Sequence, residues 1–273
     1  MPELSAIVGD IAIIGVGNMG GSILAGLIGA GVSPQRIRVV DPSRAAQASQ
    51  QYGVVPVPTP AQAMQGASTI IVAVKPDKVA DVVVQMAPEM SPATLLVSVA
   101  AGTSIHDLET WATSQQNHAP AVIRAMPNIP ARLRQGVTAL ALGSGVTEAQ
   151  MVTAQAIFSA IGAVLGVDEA QMPAVSAVSG CGPAYLFLVA EAMTEAGVRL
   201  GLSRDTASRL VTQTFVGSSA LLATGEPATE LRAQVTSPGG TTAAAIYELE
   251  QRGVRAAFSA AMKATVDRSR ELG

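Results

Sequence analysis

The chain has 273 residues and a formal charge of −3, so it offers no basic field to a phosphate backbone, which argues against nucleic acid as a partner. Hydrophobic residues make up 49% and aromatics only 3%, so any core is built from Ala, Val, Ile, Leu and Met. Charged residues, at 14%, fall well below the roughly 25% of an ordinary soluble protein, and so apolar a surface points to subunit contacts.

Residues 11–14 form a short apolar run that stops at Gly15, as a buried parallel strand does. A helix is expected over residues 19–30, with Gly31 as its C-cap. The stretch 11–35 holds no charge and superficially resembles a membrane span or signal sequence. It has no preceding Lys or Arg, has Glu3 and Asp10 upstream, and is interrupted by Gly15, Gly17, Gly20, Gly21, Gly26, Gly29 and Gly31. A strand, a tight turn and a buried helix account for it, and no membrane span is expected.

Residues 36–40 read as a second strand ending in Asp41-Pro42, with Ser43 as N-cap of a helix over 44–52. The alternation continues with a strand at 69–74, a helix at 77–86, a strand at 94–99 and a helix at 105–111. Strands at 121–125, 137–142 and, at an edge, 164–167 complete the set. Such alternation implies an α/β fold with a doubly wound parallel sheet over residues 1–168. Beyond it, residues 169–273 read as all-helical, with helices at 183–200, 203–222, from about 241, and 255–271. Tyr185-Leu186-Phe187-Leu188-Val189 is apolar on every side, so this helix is expected to be buried all round, in a region suited to a dimer interface.

Cys181 is the single cysteine, and His106 and His118 are the only histidines. An intramolecular disulfide is excluded, no metal site is expected, and a reducing cytoplasm is the simplest compartment.

Gly15-Val16-Gly17-Asn18-Met19-Gly20 matches G-x-G-x-x-G between a strand and a helix, the Rossmann arrangement for a dinucleotide diphosphate. An acidic residue, Asp41, follows at the end of the second strand, about 20 residues on. A carboxylate there favours the free 2′-hydroxyl of NADH, whereas Ser43 and Arg44 suit the 2′-phosphate of NADPH. Ser43 as a helix cap and Arg44 as a solvated residue explain the pair equally well, so the choice stays open. Val74-Lys75-Pro76 and Ala100-Ala101-Gly102 end two further strands at the same edge, and Lys75 reads either as a phosphate or ribose contact or as a surface lysine. In the helical half, Ser237-Pro238-Gly239-Gly240-Thr241-Thr242 feeds a helix start with two hydroxyls and free N–H groups, an anion site for a carboxylate or a well-capped turn.

Taken together, these strings make the chain resemble the pyrroline-5-carboxylate reductase family along essentially its whole length. Further matching pieces are Ala73-Val74-Lys75-Pro76, Arg124-Ala125-Met126-Pro127-Asn128, Ser179-Gly180-Cys181-Gly182-Pro183-Ala184-Tyr185 and residues 236–250. The resemblance implies a Rossmann domain followed by a helical domain that dimerises by interleaving helices, with dimers often assembling into a larger ring. It implies an active site between one subunit's nucleotide domain and the other's helical domain. It also implies reduction of pyrroline-5-carboxylate to proline with NADPH, or NADH, as donor. Thr242 is then the hydroxyl near the imine nitrogen, and Ser237 with the Gly239-Gly240-Thr241 backbone surrounds the carboxylate. Two departures stand out: Cys181 where many members carry Ser, and Pro60 where many carry an Asn that holds the adenine ribose.

Imine reduction needs positioning more than a strong general acid, which fits a chain with two histidines. A β-hydroxy-acid dehydrogenase would need a lysine early in the helical region, and none lies between Lys78 and Lys263. A non-catalytic dinucleotide binder is the remaining rival, and a turnover assay separates it.

Overall fold

The computed structural model describes residue 7 and residues 9–113 and 119–272, so His118 lies outside the described residues. The chain forms two compact units, one of residues 1–180 with 265–273 and one of residues 181–264.

The first unit is built on one sheet. Its strands are β1 (Asp10–Ile14), β2 (Ile37–Val40), β3 (Val55–Pro56), β4 (Ala67–Val72), β5 (Leu95–Ser98), β6 (Ala121–Met126), β7 (Gly136–Leu142) and β8 (Gly162–Gly166), in the order 3-2-1-4-5-6-7-8. Its helices are α1 (Asn18–Ala30), α2 (Ala45–Tyr52), α3 (Pro60–Ala63), α4 (Pro76–Met86), α5 (Ile105–Ala112), α6 (Glu148–Ser159) and α7 (Met172–Val175). Ile11 and Ile13 join the core under α1, α2 and α6, while Ala12 and Ile14 join the core under α3, α4 and α5. Successive strand residues point to opposite faces, and both faces here are covered, which is why the strands read as unbroken apolar runs.

The expectation of a wholly parallel sheet is corrected at one place. β7 runs antiparallel to β6, with Met126 opposite Ala139. The two strands are joined through a single short 3₁₀ turn, Ile129–Leu133, too short for the crossover that a parallel neighbour requires. From β7 the chain returns to a parallel β8 through α6, a helix the sequence reading did not assign. Its start is a capping box in which the Gln150 N–H donates to Thr147 Oγ1 at 3.3 Å and the Thr147 N–H donates to Gln150 Oε1 at 3.0 Å. β4 stops at Val72 rather than at 74, which releases Ala73 and Val74 into the turn that follows. Arg44, and not Ser43, occupies the N-cap position of α2, because Asp41 rather than Ser43 receives the free N–H groups there.

The second unit contains α8 (Gly182–Arg199), α9 (Arg204–Leu222), α10 (Ala228–Gln234), α11 (Thr241–Gln251) and much of α12 (Val254–Leu272). α10, unassigned in the sequence reading, links α9 to the turn before α11. Within the chain, the expectation that residues 185–189 are buried all round does not hold. Leu186 is 52% exposed, Phe187 66% and Leu188 65%, and no residue of α8 is buried. Tyr185 meets Phe258 edge-on, their ring centroids 6.3 Å apart, but the rest of this apolar stretch stays uncovered within the chain. Each such side chain forfeits about 1.5–3 kcal/mol while it stays in water. A second protein surface is therefore needed to complete this unit.

Phe187→Glu is expected to weaken self-association and to lower the melting temperature. Light scattering after size exclusion and melting across a concentration series check it: the parent should melt higher as concentration rises. A variant that stays associated and melts with the parent would show that the exposed face of α8 is not the contact.

Candidate functional site

The crevice begins at the turn after β1. Gly15 has φ 93°, in the region that L side chains avoid, and its N–H donates to the Val40 carbonyl at 2.7 Å. A Cβ on Gly20 would run into the Gly15 carbonyl oxygen, so the helix can leave this close to the strand only with glycine there. α1 then starts on Gly17, which brings no side-chain cap, so the first N–H groups of the helix have no side-chain acceptor from that position and are open to an anion. Met19 also packs its side chain against the core.

A cavity of about 490 Å³ opens over this turn, lined by Gly15, Gly17, Asn18, Asp41, Ser43, Arg44, Ala73, Val74 and Lys75. The structure thus brings the fingerprint, the end of β2 and the end of β4 to one place. Val16 is buried beneath it. Lys75 stands at the N-cap of α4, and Pro76 fills the first helical position. Ala100, Ala101 and Gly102 follow β5 at the same carboxyl edge but do not line this cavity. Ala100 is buried and Gly102 turns the chain with φ 79°. Pro60 is the first residue of α3, behind Thr59, whose hydroxyl accepts the Gln62 N–H at 3.3 Å. Proline there has no N–H or side-chain donor to offer a ribose.

Asp41 has a structural job beside the one its position suggests. Its Oδ2 accepts the Val16 N–H at 3.0 Å. Its Oδ1 accepts the Ser43 N–H and hydroxyl, both at 2.9 Å, and the Arg44 N–H at 3.0 Å. Burial alone would raise its pKa, but these hydrogen bonds outweigh burial and hold the carboxyl below its ordinary value. Four protein donors match the roughly four acceptor sites of a carboxylate. Asp41 therefore ties the glycine turn to the start of α2.

Two residues of the Arg124-to-Asn128 string received no role from sequence. Arg124 is 7% exposed; its Nη1 donates to Glu169 Oε1 at 3.3 Å, and that oxygen also accepts the Ile105 N–H at 2.6 Å. Its Nε is buried without a partner. The pair joins the centre of the sheet to the start of α5 and to the segment after β8. Asn128 Nδ2 donates to the Ser179 carbonyl at 3.1 Å, and its Oδ1 accepts the Val137 N–H at 2.9 Å. It thereby holds the π-helical turn Ser176–Gly180 against the end of β6. An Arg inside a buried strand was the available signal for the first; nothing local marks the second. His106 sits exposed in the first turn of α5 and lines no part of the crevice.

In the second unit, the residues proposed to meet substrate form one turn. Gly239 has φ 69°, the Gly240 N–H donates to the Ser237 carbonyl at 3.0 Å, and α11 starts on Gly240 with no side-chain cap. Thr236 bonds its hydroxyl back to the Arg232 carbonyl at 2.6 Å. The hydroxyls of Ser237, Thr241 and Thr242 have no hydrogen-bond partner among the described residues, and Ser237 and Thr241 are exposed. Three free hydroxyls and an open helix start thus share one turn. Among the described residues no cluster of His, Cys, Asp and Glu gathers to hold a metal.

Residues 169–272 match the family model for pyrroline-5-carboxylate reductase dimerisation, and residues 10–102 match one described as NADP oxidoreductase, coenzyme F420-dependent. The pyrroline-5-carboxylate reductase of Pseudomonas aeruginosa is 44% identical over 267 residues, covering 96% of each chain. That of Mycobacterium tuberculosis is 43% identical over 288 residues, again covering 96% of each. A solved pyrroline-5-carboxylate reductase from Coxiella burnetii superposes with a TM-score of 0.91 at 36% identity, covering 97% of this chain and 98% of the other. The Plasmodium falciparum enzyme, solved with NADP bound, gives 0.86 at 27% identity, covering 98% and 99%.

Because its folded pKa lies below the unfolded value, Asp41 adds stability above about pH 4 that is lost as pH falls through the folded pKa. Asp41→Asn is expected to melt below the parent at pH 7, the gap narrowing as the buffer is taken below about pH 4. A gap that stays constant with pH would show that the carboxylate's charge is not what braces the turn.

Proposed function

The chain belongs to the pyrroline-5-carboxylate reductase family, and on that premise we propose that it reduces pyrroline-5-carboxylate to proline with NADPH, the last step of proline biosynthesis. The observation that carries this reading is the turn before α11, where an uncapped helix start and the free hydroxyls of Ser237, Thr241 and Thr242 lie together. That chemistry matches a small ring bearing a carboxylate and a basic nitrogen.

The crevice residues fit the cofactor on local grounds. Gly17 leaves its side-chain direction open, the nearest atom being Arg44 Nη1 at 3.6 Å, and the first turn of α1 presents unopposed donors. Gly15, Val16, Gly17, Asn18, Met19 and Gly20 would hold the diphosphate, and Val74, Lys75, Pro76, Ala100, Ala101 and Gly102 would flank the rest. When bound, the reduced nicotinamide supplies hydride to the imine carbon. Ser237 with the Gly239-Gly240-Thr241 backbone orients the substrate carboxylate at the helix start, where the dipole favours an anion. Thr242 hydrogen-bonds the ring nitrogen and relays to it, from solvent, the one proton that turns the imine into the iminium before hydride adds to carbon. The substrate iminium is already electrophilic, so positioning and exclusion of water do most of the work.

Ser43 and Arg44 favour NADPH over NADH in this reading. Asp41 is saturated by protein donors and is poorly free to select a ribose 2′-hydroxyl, whereas the Arg44 guanidinium lines the crevice. We read residues 1–168 as the nucleotide domain and 169–273 as the substrate and dimerisation domain, in line with the two family matches. The helical run Glu169–Arg199 is long and apolar enough to cross a membrane by length and composition. The dimerisation match covers it, so its apolar side is read as a subunit contact in a cytoplasmic homodimer or a larger ring of dimers.

Thr242→Ala is expected to lower turnover about a hundredfold while NADPH affinity stays at the parent value. Steady-state rates at 340 nm (about where reduced nicotinamide absorbs), with five- and six-membered imino acids and both cofactors, decide it. An Ala variant that turns over like the parent removes Thr242 from the reaction. Arg44→Ala should raise the KM for NADPH about tenfold and leave that for NADH unchanged. Equal loss with both cofactors would place Arg44 on the diphosphate.

A further inference from the structure

We propose that a groove beside the nucleotide crevice binds a small free anion of the phosphate type through Arg44 and Arg132, and that its occupancy weakens NADPH binding. The groove, of about 440 Å³, lies along α1 and α2 beside the 3₁₀ turn after β6. Arg44 and Arg132 line it together with Gln47, Gln51 and Tyr52, and no Asp or Glu lines it. Most arginines of this chain face an acid, as Arg38 faces Asp10 and Arg255 faces Glu250. Arg44 and Arg132 have no acidic partner among the described residues. Arg44 and Arg132 thus line one groove without a counter-ion, and a multivalent anion can answer both charges. The planar fork of arginine matches phosphate oxygens in pairs, and amide and phenol donors stand beside it. The first turn of α1, whose dipole favours negative charge, forms part of the same wall.

A phosphate group there has two conceivable sources, the 2′-phosphate of the cofactor or a free anion. The linings favour the second. Arg132, Gln47, Gln51 and Tyr52 line the groove and are absent from the crevice, whereas Asp41, Ser43 and Lys75 line the crevice and are absent from the groove. Gly17, Asn18 and Arg44 line both, with the Arg44 Nη1 held over the glycine turn. An anion in the groove therefore competes for the guanidinium that the nucleotide uses, which makes the groove an effector site rather than a catalytic one. This consequence rests on the crevice being the nucleotide site, so the two ligands are titrated separately.

The test is calorimetric titration of the full chain with inorganic pyrophosphate and, independently, with NADPH. The parent should bind pyrophosphate, and Arg132→Gln should weaken that binding about tenfold. Gln47→Glu, which sets a carboxylate in the wall at an exposed helical position, should weaken it at least as much. Arg132→Gln should bind NADPH like the parent, and pyrophosphate should raise the apparent NADPH Kd of the parent more than that of the variant. Parent-like pyrophosphate binding by Arg132→Gln, or none by the parent, overturns the proposal. A parallel loss of NADPH affinity in Arg132→Gln also overturns it, by giving the groove to the cofactor's own phosphate. If the parent failed to bind NADPH, the crevice reading would fall, while the pyrophosphate titrations would still decide the groove.

Discussion

Two helices of this chain, α1 and α11, begin on a glycine N-cap that brings no side chain at all, and the proposed chemistry is built around those two beginnings. α3, α5, α6 and α9 are capped by Thr59, Ser104, Thr147 and Ser203, each accepting a backbone N–H from the first turn. α1 and α11 start instead on Gly17 and Gly240, which bring no oxygen. A helix start that its own chain does not satisfy keeps its partial positive charge for whatever anion arrives. Glycine at that position gives up only a few tenths of a kcal/mol relative to Ser or Thr, so the opening is nearly free of cost to the fold. In the proposed reading one open start takes a diphosphate and the other a carboxylate, so that one physical device would serve both cofactor and substrate.

The two units meet the demand for burial in different ways. The sheet of the first unit is covered on both faces by its own helices, so its side chains reach the interior without help from another chain. The helices of the second unit leave Phe187, Leu188, Val216 and Leu249 in solvent. Low charge content had pointed to this in the sequence, but the location of the missing partner had not been legible. An all-apolar stretch such as residues 185–189 reads as a core helix, yet this chain alone does not cover it. Periodicity reports that a face will be covered; it does not say by which molecule.

Legibility followed how local the determining interaction is. The glycine turn, its flanking strand and helix, and the turn before α11 are specified by neighbours in sequence, and all were readable. The direction of β7 was not, although the cause is simple: residues 127–135 provide too little chain for a crossover. α6 went unassigned despite the Thr147-x-x-Gln150 box, because Ala-rich helices carry weak periodicity. Arg124 and Asn128 act over sequence separations of 45 and 51 residues, and no spacing rule reaches that far.

Asp41 shows what a motif rule leaves open. An acid at the end of the second strand is read as a selector for a ribose hydroxyl, because in many nucleotide folds its oxygens are free to accept one. Whether they are free depends on the next three residues. Here Pro42 turns the chain so that the N–H groups of Ser43 and Arg44 fall back onto Oδ1, while Val16 takes Oδ2. The carboxylate becomes a strut between two turns, and its charge is spent inside the protein. In the proposed reading, selectivity for the ribose substituent then falls to the Arg44 guanidinium, which lines the crevice together with Lys75. The acid and the arginine are separated by two residues in the sequence, and it is the acid that the protein's own donors occupy.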